Sequence, residues 1–156
     1  MVNDSILTKE IAEQFVADKY SVHLDQYNVI EDAAAESLSK HKDSLALNGL
    51  TELSDAAAEG LSKHEGNLSL FDLTELSDSA AESLSKHEGK CLHLDGLTQL
   101  SDSVAESLSK HKGILLSLDG LTELSDSVAE SLSKYKGNLL SLDGLTKLSD
   151  SAAESL

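Results

Sequence analysis

The chain has 156 residues, enough for one compact domain with an apolar core, and 40% of them are hydrophobic, as in ordinary soluble proteins. Its formal net charge of -16 repels phosphate backbones and anionic lipid headgroups, so neither nucleic acid nor a membrane surface is an expected partner. Only 3% of the residues are aromatic, and Trp and Arg are absent, so the residues that dominate binding hot spots are scarce.

The first segment of the chain predicts a helix and no targeting signal. MVNDSILTKE has acidic and polar residues where a signal peptide carries a basic segment and then an apolar run, and no stretch approaches membrane-spanning length. In residues 5–18, Leu7, Ile11 and Phe15 recur at intervals of four residues, and polar residues occupy the opposite face. We therefore predict an N-terminal capping helix within residues 1–21 and, by default, a cytoplasmic location.

From Val22 onward the sequence repeats itself. By subtraction the units are 23 or 24 residues long, and they begin at Val22, Leu45, Leu68, Leu92, Leu116 and Leu140. The first unit has diverged most, but its apolar positions stay in register with those of the others. The repeat predicts one solenoid domain over residues 22–156, with five full units and a partial sixth.

Each unit predicts a short strand followed by a short helix. The opening Leu-x-Leu alternates apolar and polar positions, so the leucines point inward and the residue between them, such as Ser117, points outward. An Asp-Gly pair then forms a turn. In SDSVAESLSKHKG, Ser101 or Asp102 caps a helix of about ten residues, and Gly113 ends it in the left-handed conformation.

Neither element is stable alone, because the helix is too short and a Leu-x-Leu strand cannot bury its leucines without a neighbour. Stacking the units places parallel strands on one face and helices on the other, and it merges the leucine columns into one core. The expected fold class is therefore α/β, a repeat solenoid covered at its N-terminal end by the capping helix. No matching cap is seen at the other end, so we expect that either the protein continues past Leu156 or this end meets another molecule.

The L-x-L-x-x-L-x-x-L core with a following helix resembles leucine-rich repeats over residues 22–156, and it looks closest to bacterial variants of about 23 residues. The resemblance implies a protein-binding or structural scaffold that frequently uses its concave sheet. In place of the family's Asn, whose amide bonds to neighbouring backbone, this sequence has Leu121 and its equivalents. We expect recurring threonines to satisfy the turn backbone instead, namely Thr51, Thr74, Thr98, Thr122 and Thr146.

A histidine column invites a metal-binding interpretation, because stacked imidazoles lie close together. Its members are His41, His64, His87 and His111. Tyr135 takes the fifth position, which a column of ligands does not tolerate, so we interpret the column as structural, at the negative ends of the helices.

Two aspartate columns allow a similar choice. The column at the helix starts suits the positive helix ends without a ligand and contains Asp32, Asp55, Asp78, Asp102, Asp126 and Asp150. The column in the turns contains Asp25, Asp95, Asp119 and Asp143. Calcium between the turns stays open as a lesser alternative, since Asn48 and Phe71 interrupt this column. We expect no metal and no cofactor.

Catalysis has little support in the sequence. His93 and Ser117 are expected side by side on the sheet, but no acid, oxyanion donor or phosphate-binding loop accompanies them, so we predict that the protein is not an enzyme. Cys91 aligns with apolar positions, and a single cysteine cannot form an internal disulfide, so no oxidising compartment is indicated.

Two surfaces are candidates for binding. The candidate concave face comprises His23, Ala46, Ser69, His93, Ser117 and Ser141 on the strands and Glu52, Glu75, Gln99 and Glu123 after the turns. The candidate open-end contact comprises Leu148, Ala152 and Leu156. We predict a non-enzymatic leucine-rich-repeat scaffold that mediates protein–protein interaction. The alternative is a structural element that self-assembles by stacking another copy on the open end.

Overall fold

The computed structural model describes residues 5–156. This part of the chain is an α/β solenoid in which seven short strands alternate with seven short helices. The strands are β1 (Ile6–Leu7), β2 (Val29–Ile30), β3 (Leu45–Ala46), β4 (Leu68–Ser69), β5 (Cys91–His93), β6 (Leu115–Ser117) and β7 (Leu139–Ser141). The helices are α1 (Lys9–Ala17), α2 (Asp32–Leu38), α3 (Asp55–Ser62), α4 (Asp78–Ser85), α5 (Asp102–Leu108), α6 (Asp126–Leu132) and α7 (Asp150–Ser155).

The main sheet is parallel and has five strands, β3 to β7, in the order of the sequence. Leu68 pairs with Leu92, Leu92 with Leu116 and Leu116 with Leu140, so each predicted unit start lies beside the next. The predicted register is therefore confirmed. Leucines of the strands, turns and helices in the interior units are buried and form one continuous core.

The helices lie behind the sheet and pack in sequence order, α1 on α2 through α6 on α7. A serine caps each of the five helices from α3 to α7, and its hydroxyl accepts the N–H three residues on, as Ser125 does from Val128. Two consecutive small residues in the inner turn, such as Ala57 and Ala58, are fully buried. Small side chains there let neighbouring helices lie close together. None of the helices within residues 5–156 is long and apolar enough to cross a membrane.

The predicted N-terminal helix is present as α1, and it is in register with the repeats. Leu7 and Ala12 lie 23 residues before Ile30 and Ala35 by subtraction, and both are fully buried. Thr8 caps α1 as the serines cap the later helices. The segment thus has the form of a half unit that covers the first layer of helices.

The first unit differs from the expectation, because no strand forms at Val22. Leu24–Gln26 is a 3-10 turn in which Tyr27 N–H donates to the carbonyl of Leu24. Among the described residues this segment pairs with no strand of a preceding unit, and its backbone bonds locally instead. The strand of this unit, β2, comes later and pairs in parallel with β1.

Candidate functional site

A ladder of side-chain hydrogen bonds joins successive turns. The Asp25 carboxylate accepts the backbone N–H of Asn48 at 3.0 Å, and the Asn48 amide oxygen accepts the Ser69 hydroxyl at 2.7 Å. Two units later, Asp95 accepts both the Asp119 N–H at 3.0 Å and the Ser117 hydroxyl. Asp25 thus holds the next turn, Asn48 holds the next strand, and Asp95 holds both.

Asp119 repeats this arrangement with the last unit. It accepts the Ser141 hydroxyl at 2.6 Å and the Asp143 N–H at 2.9 Å, and the Ser117 hydroxyl lies 3.3 Å away. Burial raises the pKa of Asp119, but the hydrogen bonds from Ser141, Asp143 and Ser117 outweigh it, so the pKa lies below its usual value. Asp25, Asp95 and Asp119 hence each accept a backbone N–H of the next turn.

The threonines contribute as expected at two positions. The Thr51 hydroxyl donates to the carbonyl of Asn28 at 3.4 Å, and the Thr146 hydroxyl donates to that of Thr122 at 3.2 Å. The aspartates carry more of these bonds than the threonines do. The sequence allowed calcium binding by the turn aspartates as a lesser alternative. It did not predict their hydrogen bonds to the next unit.

Phe71 interrupts the turn ladder. It stands where the other turns have Asp or Asn, and its side chain offers no acceptor to the next unit. The Phe71 side chain is 43% exposed, and its ring meets that of His93 edge to face, with ring centroids 5.5 Å apart. His93 Nδ1 lies 3.6 Å from the Asp95 carboxylate. An exposed aromatic contact thus replaces the ladder bonds at this position.

The residues of the candidate concave face differ in accessibility. His23 and Ala46 are exposed, as are all four positions after the turns, whereas Ser69, His93 and Ser141 are half-buried. Ser117 is only 3% exposed, so little of its side chain is accessible to a partner. Its hydroxyl is bound by the turn aspartates, which fold over it.

The histidine column forms a stack of rings. Ring centroids are 6.4 Å apart between His41 and His64, 6.1 Å between His64 and His87, and 5.8 Å between His87 and His111. Tyr135 continues the stack 6.4 Å from His111, and all these neighbouring rings lie within 18° of parallel. His64, His87 and His111 are at most 1% exposed. The column is therefore part of the interior.

A glycine lies two residues after each buried ring of the column. These glycines were expected to end the helices in the left-handed conformation, and that expectation is wrong. No glycine within residues 5–156 has a positive φ, so Gly113 does not end its helix in the left-handed conformation. A Cβ at Gly113 would instead collide with His111 Nε2. A Cβ at Gly137 would likewise collide with the hydroxyl of Tyr135, which donates to the Gly113 carbonyl at 2.8 Å. The glycines are needed for this close approach.

The aspartates at the helix starts form a second ladder. Ser54 donates to Asp32, and Ser77 donates to Asp55, both at 2.5 Å, and Ser149 donates to Asp126 at the same distance. A cap serine thus serves two units, since it also accepts an N–H in its own helix. This column has a structural role in addition to its favourable position at the helix ends.

No metal site or catalytic cluster emerges from these columns. In the part of the chain that the structure describes, no group of three or more His, Cys, Asp or Glu side chains is placed to hold a metal ion. The predicted pair His93 and Ser117 lies in register on neighbouring strands, but Ser117 Oγ donates to a carboxylate instead of facing a base.

The chain matches no known protein-family model, and a search of curated proteins found no match. The proposed function is therefore inferred from the geometry of the chain.

The last unit carries several exposed leucines. Leu139, Leu148 and Leu156 are 56%, 42% and 49% exposed. Leu132, one unit before Leu156, is 1% exposed. Ala152, which we expected at this surface, is fully buried, because its side of the helix faces the preceding unit. The exposed alanine of the last helix is Ala153.

Proposed function

We propose that the protein is a non-enzymatic scaffold of the leucine-rich-repeat type that binds another protein at a patch formed by Phe71 and His93. The repeat length, the parallel strands and the inter-unit turn ladder support the leucine-rich-repeat assignment. The patch, which we call the Phe71 patch, is the observation that favours binding.

Phe71 costs the fold hydrogen bonds that the other turns make. Where the chain has Asp95 or Asp119, the turn gains a backbone N–H bond and a serine hydroxyl bond to the next unit. Phe71 gives up both and leaves its ring 43% exposed. Departures from a local structural rule are expected to concentrate at functional positions. Exposed aromatic residues are also enriched in binding hot spots.

The surroundings of the patch suit a protein partner. The chain has only two phenylalanines, so an exposed one is a specific departure from the repeat. Asn48 and Asp95 lie in the neighbouring turns and supply polar groups around the ring. An apolar centre with a polar border is the usual form of a protein-binding surface.

The experiment restores the repeat at this position. The double variant Phe71→Asp, His93→Ser should complete the ladder and unfold at an equal or higher urea concentration than the parent, because two hydrogen bonds are added. Captured proteins are identified after cross-linking in a lysate of the cells that produce the chain. The control Ser103→Asp adds one charge on an exposed helix position and should retain every partner.

Loss of a captured protein with the double variant, at unchanged or increased stability, would support the proposal. If the parent, the control and the double variant capture the same proteins, the Phe71 patch is not the binding surface. An experimental structure of the double variant with an intact ladder excludes unfolding as the cause of a loss.

We infer self-association through the open end as the second candidate function. The observation that favours it is the contrast between the two ends of the array: Leu7 and Ala12 are fully buried at the N-terminal side, whereas Leu139 is 56% exposed at the other. A contact between the last unit of one copy and the N-terminal side of another is head-to-tail and need not close. Two open ends that face each other form a closed pair with twofold symmetry.

Solution mass as a function of concentration tests this second candidate. The variant Leu139→Lys, Leu148→Lys should remain monomeric, whereas the control Ile6→Lys changes an exposed aliphatic residue at the N-terminal side and should behave as the parent. A parent that stays monomeric at high concentration would exclude self-association.

A further inference from the structure

The interior of the histidine column contains polar atoms without partners. Among the described residues, both ring nitrogens of His64 and of His111, and Nδ1 of His87, are buried and make no hydrogen bond. His87 Nε2 lies 2.9 Å from the carbonyl of Gly66. A neutral imidazole has one donor and one acceptor, so it tolerates this environment better than an imidazolium, which needs two acceptors.

The stacking of the rings adds to the penalty for charge. Each buried ring has a neighbour whose centroid lies 5.8 to 6.4 Å away, so a second imidazolium in the column would repel the first at short range. Burial, and then the charge of His111, lowers the pKa of His87 to about 4. Burial is also the main cause that lowers the pKa values of His64 and His111.

The charged and titratable groups around the column do not compensate for protonation. Glu65 and Asp43 are exposed carboxylates, and each already pairs with a lysine, at 2.8 and 2.7 Å respectively. Lysines and glutamates both line the grooves beside His87 and His111, and Glu82 and Glu106 pair with Lys86 and Lys110. The charged and titratable groups around the column in the described residues are His41, Asp43, Glu65, Glu82, Lys86, Glu88, Cys91, Glu106, Lys110, Lys112, Lys134, Tyr135 and Lys136.

We propose that protonation of the histidine column separates the stacked units, so that the solenoid is stable near neutral pH and opens in mild acid. The column runs through the units that contain α2 to α5, its rings stack on those of adjacent units, and His87 contacts the Gly66 carbonyl of the preceding unit. Charge in the column therefore acts on the contacts between units. The proposal is independent of which partner the scaffold binds.

The sign of the effect follows from linkage. The folded-state pKa values of the three buried histidines lie below the unfolded value of about 6.5, so the unfolded chain binds more protons as the pH falls below 6.5. Stability is full above that pH and decreases toward pH 4. For each unit by which the pH falls below 6.5, one buried imidazole raises the unfolding equilibrium constant by up to about tenfold. Three buried imidazoles together raise it by up to about a thousandfold per pH unit.

The general charge of the chain predicts the opposite trend. A protein with a net charge of -16 loses self-repulsion as protons bind, so without the histidine column it should become more stable between pH 6.5 and 5. Carboxylates protonate mainly below this window. Unfolding that becomes easier from pH 6.5 to 5 is thus specific to buried histidine.

Urea denaturation at pH 7.5, 6.5, 5.5 and 5.0 tests the proposal. The unfolding constant of the parent should rise by at least about a hundredfold between pH 6.5 and 5.0. In the variant His64→Tyr, His87→Tyr, His111→Tyr the rise should be less than about tenfold. Tyrosine is chosen because Tyr135 already fills this column position. The control His23→Tyr changes an exposed histidine and should behave as the parent.

A parent that gains stability toward pH 5, or a triple variant that keeps the full pH dependence, would overturn the proposal. If the triple variant does not fold, the single variant His87→Tyr decides, because it should remove about a third of the logarithmic effect. Proton NMR of the parent is a direct check: the rings of the three buried histidines should titrate below the ordinary imidazole pKa of about 6.5. Titration of these three rings at about pH 6.5 in the folded chain would contradict the proposal.

Discussion

Replacing Asp119 with alanine should weaken the contact between the last two units. The Asp119 carboxylate accepts the Asp143 N–H at 2.9 Å and the Ser141 hydroxyl at 2.6 Å. Hydrogen bonds to a charged group contribute about 1.5 to 3 kcal/mol each when buried. Asp119 is half-buried, so water replaces part of each bond, and we expect a loss of about 2 kcal/mol in total.

The matched control is Asp143→Ala. Asp143 occupies the same turn position one unit later, but in the described part of the chain its carboxylate accepts no hydrogen bond, and the expected loss is below about 0.5 kcal/mol. Urea denaturation at pH 7 measures both variants, and a loss of about 2 kcal/mol corresponds to a midpoint shift of about 1 M at an m-value of about 2 kcal/mol per M. Equal losses in the two variants would refute the ladder as an energetic contact.

The pH dependence of this contact differs from that of the histidines. The pKa of Asp119 is lowered in the folded chain, so its contribution is present above the ordinary carboxyl pKa and is lost as the pH falls through the lower folded value. The difference between Asp119→Ala and the parent should therefore be the same at pH 7 and pH 5.5. A difference that disappears by pH 5.5 would show that the carboxylate is not held by these donors.

Three further predictions concern single positions, each measured by urea denaturation. Gly120→Ala should destabilise the protein by more than about 2 kcal/mol, because the added Cβ collides with carbonyls of the preceding turn. Gly60→Ala lies in a helix interior, and its free energy of unfolding should stay within about 1 kcal/mol of the parent's. Leu118→Ala removes a fully buried side chain and should cost about 2 to 5 kcal/mol, and Leu142→Ala, its equivalent in the open unit, should cost less than half as much. Ser125→Ala removes a helix cap and should cost about 1 kcal/mol. Equal losses within either pair, or an unchanged midpoint for Ser125→Ala, would contradict the corresponding contact.

The sequence was sufficient for the order and register of the elements in the interior units. Leu92, Leu116 and Leu140 align because each opens a unit of 24 residues, and a parallel stack requires such residues to lie side by side. The helix starts were also predictable, because serine before an apolar run is a local signal that acts within one helix. Local periodicity and stacking together determine this part of the fold.

Contacts that depend on the adjacent unit were not predictable from local signals. Alternation along a strand places Ser117 on the outer side of the sheet, but it does not show that turn aspartates cover it. The glycine after the column position was predicted to adopt positive φ, whereas a close ring is the actual reason for Gly113. Phe71 was noted only as an interruption of an acidic column. Its departure from a nearly invariant turn was the signal that could have identified it.

The units stack in parallel register, and nuclear Overhauser effects from His93 test this stacking most directly. His93 is unique among the strand residues of the interior units, so its signals can be assigned without ambiguity. In the structure it is in register with Ser69 on one side and Ser117 on the other, and its carbonyl accepts the Leu70 N–H at 3.0 Å. We expect cross-peaks from His93 to residues of both neighbouring strands. Cross-peaks only to residues of its own unit would contradict the stacked solenoid.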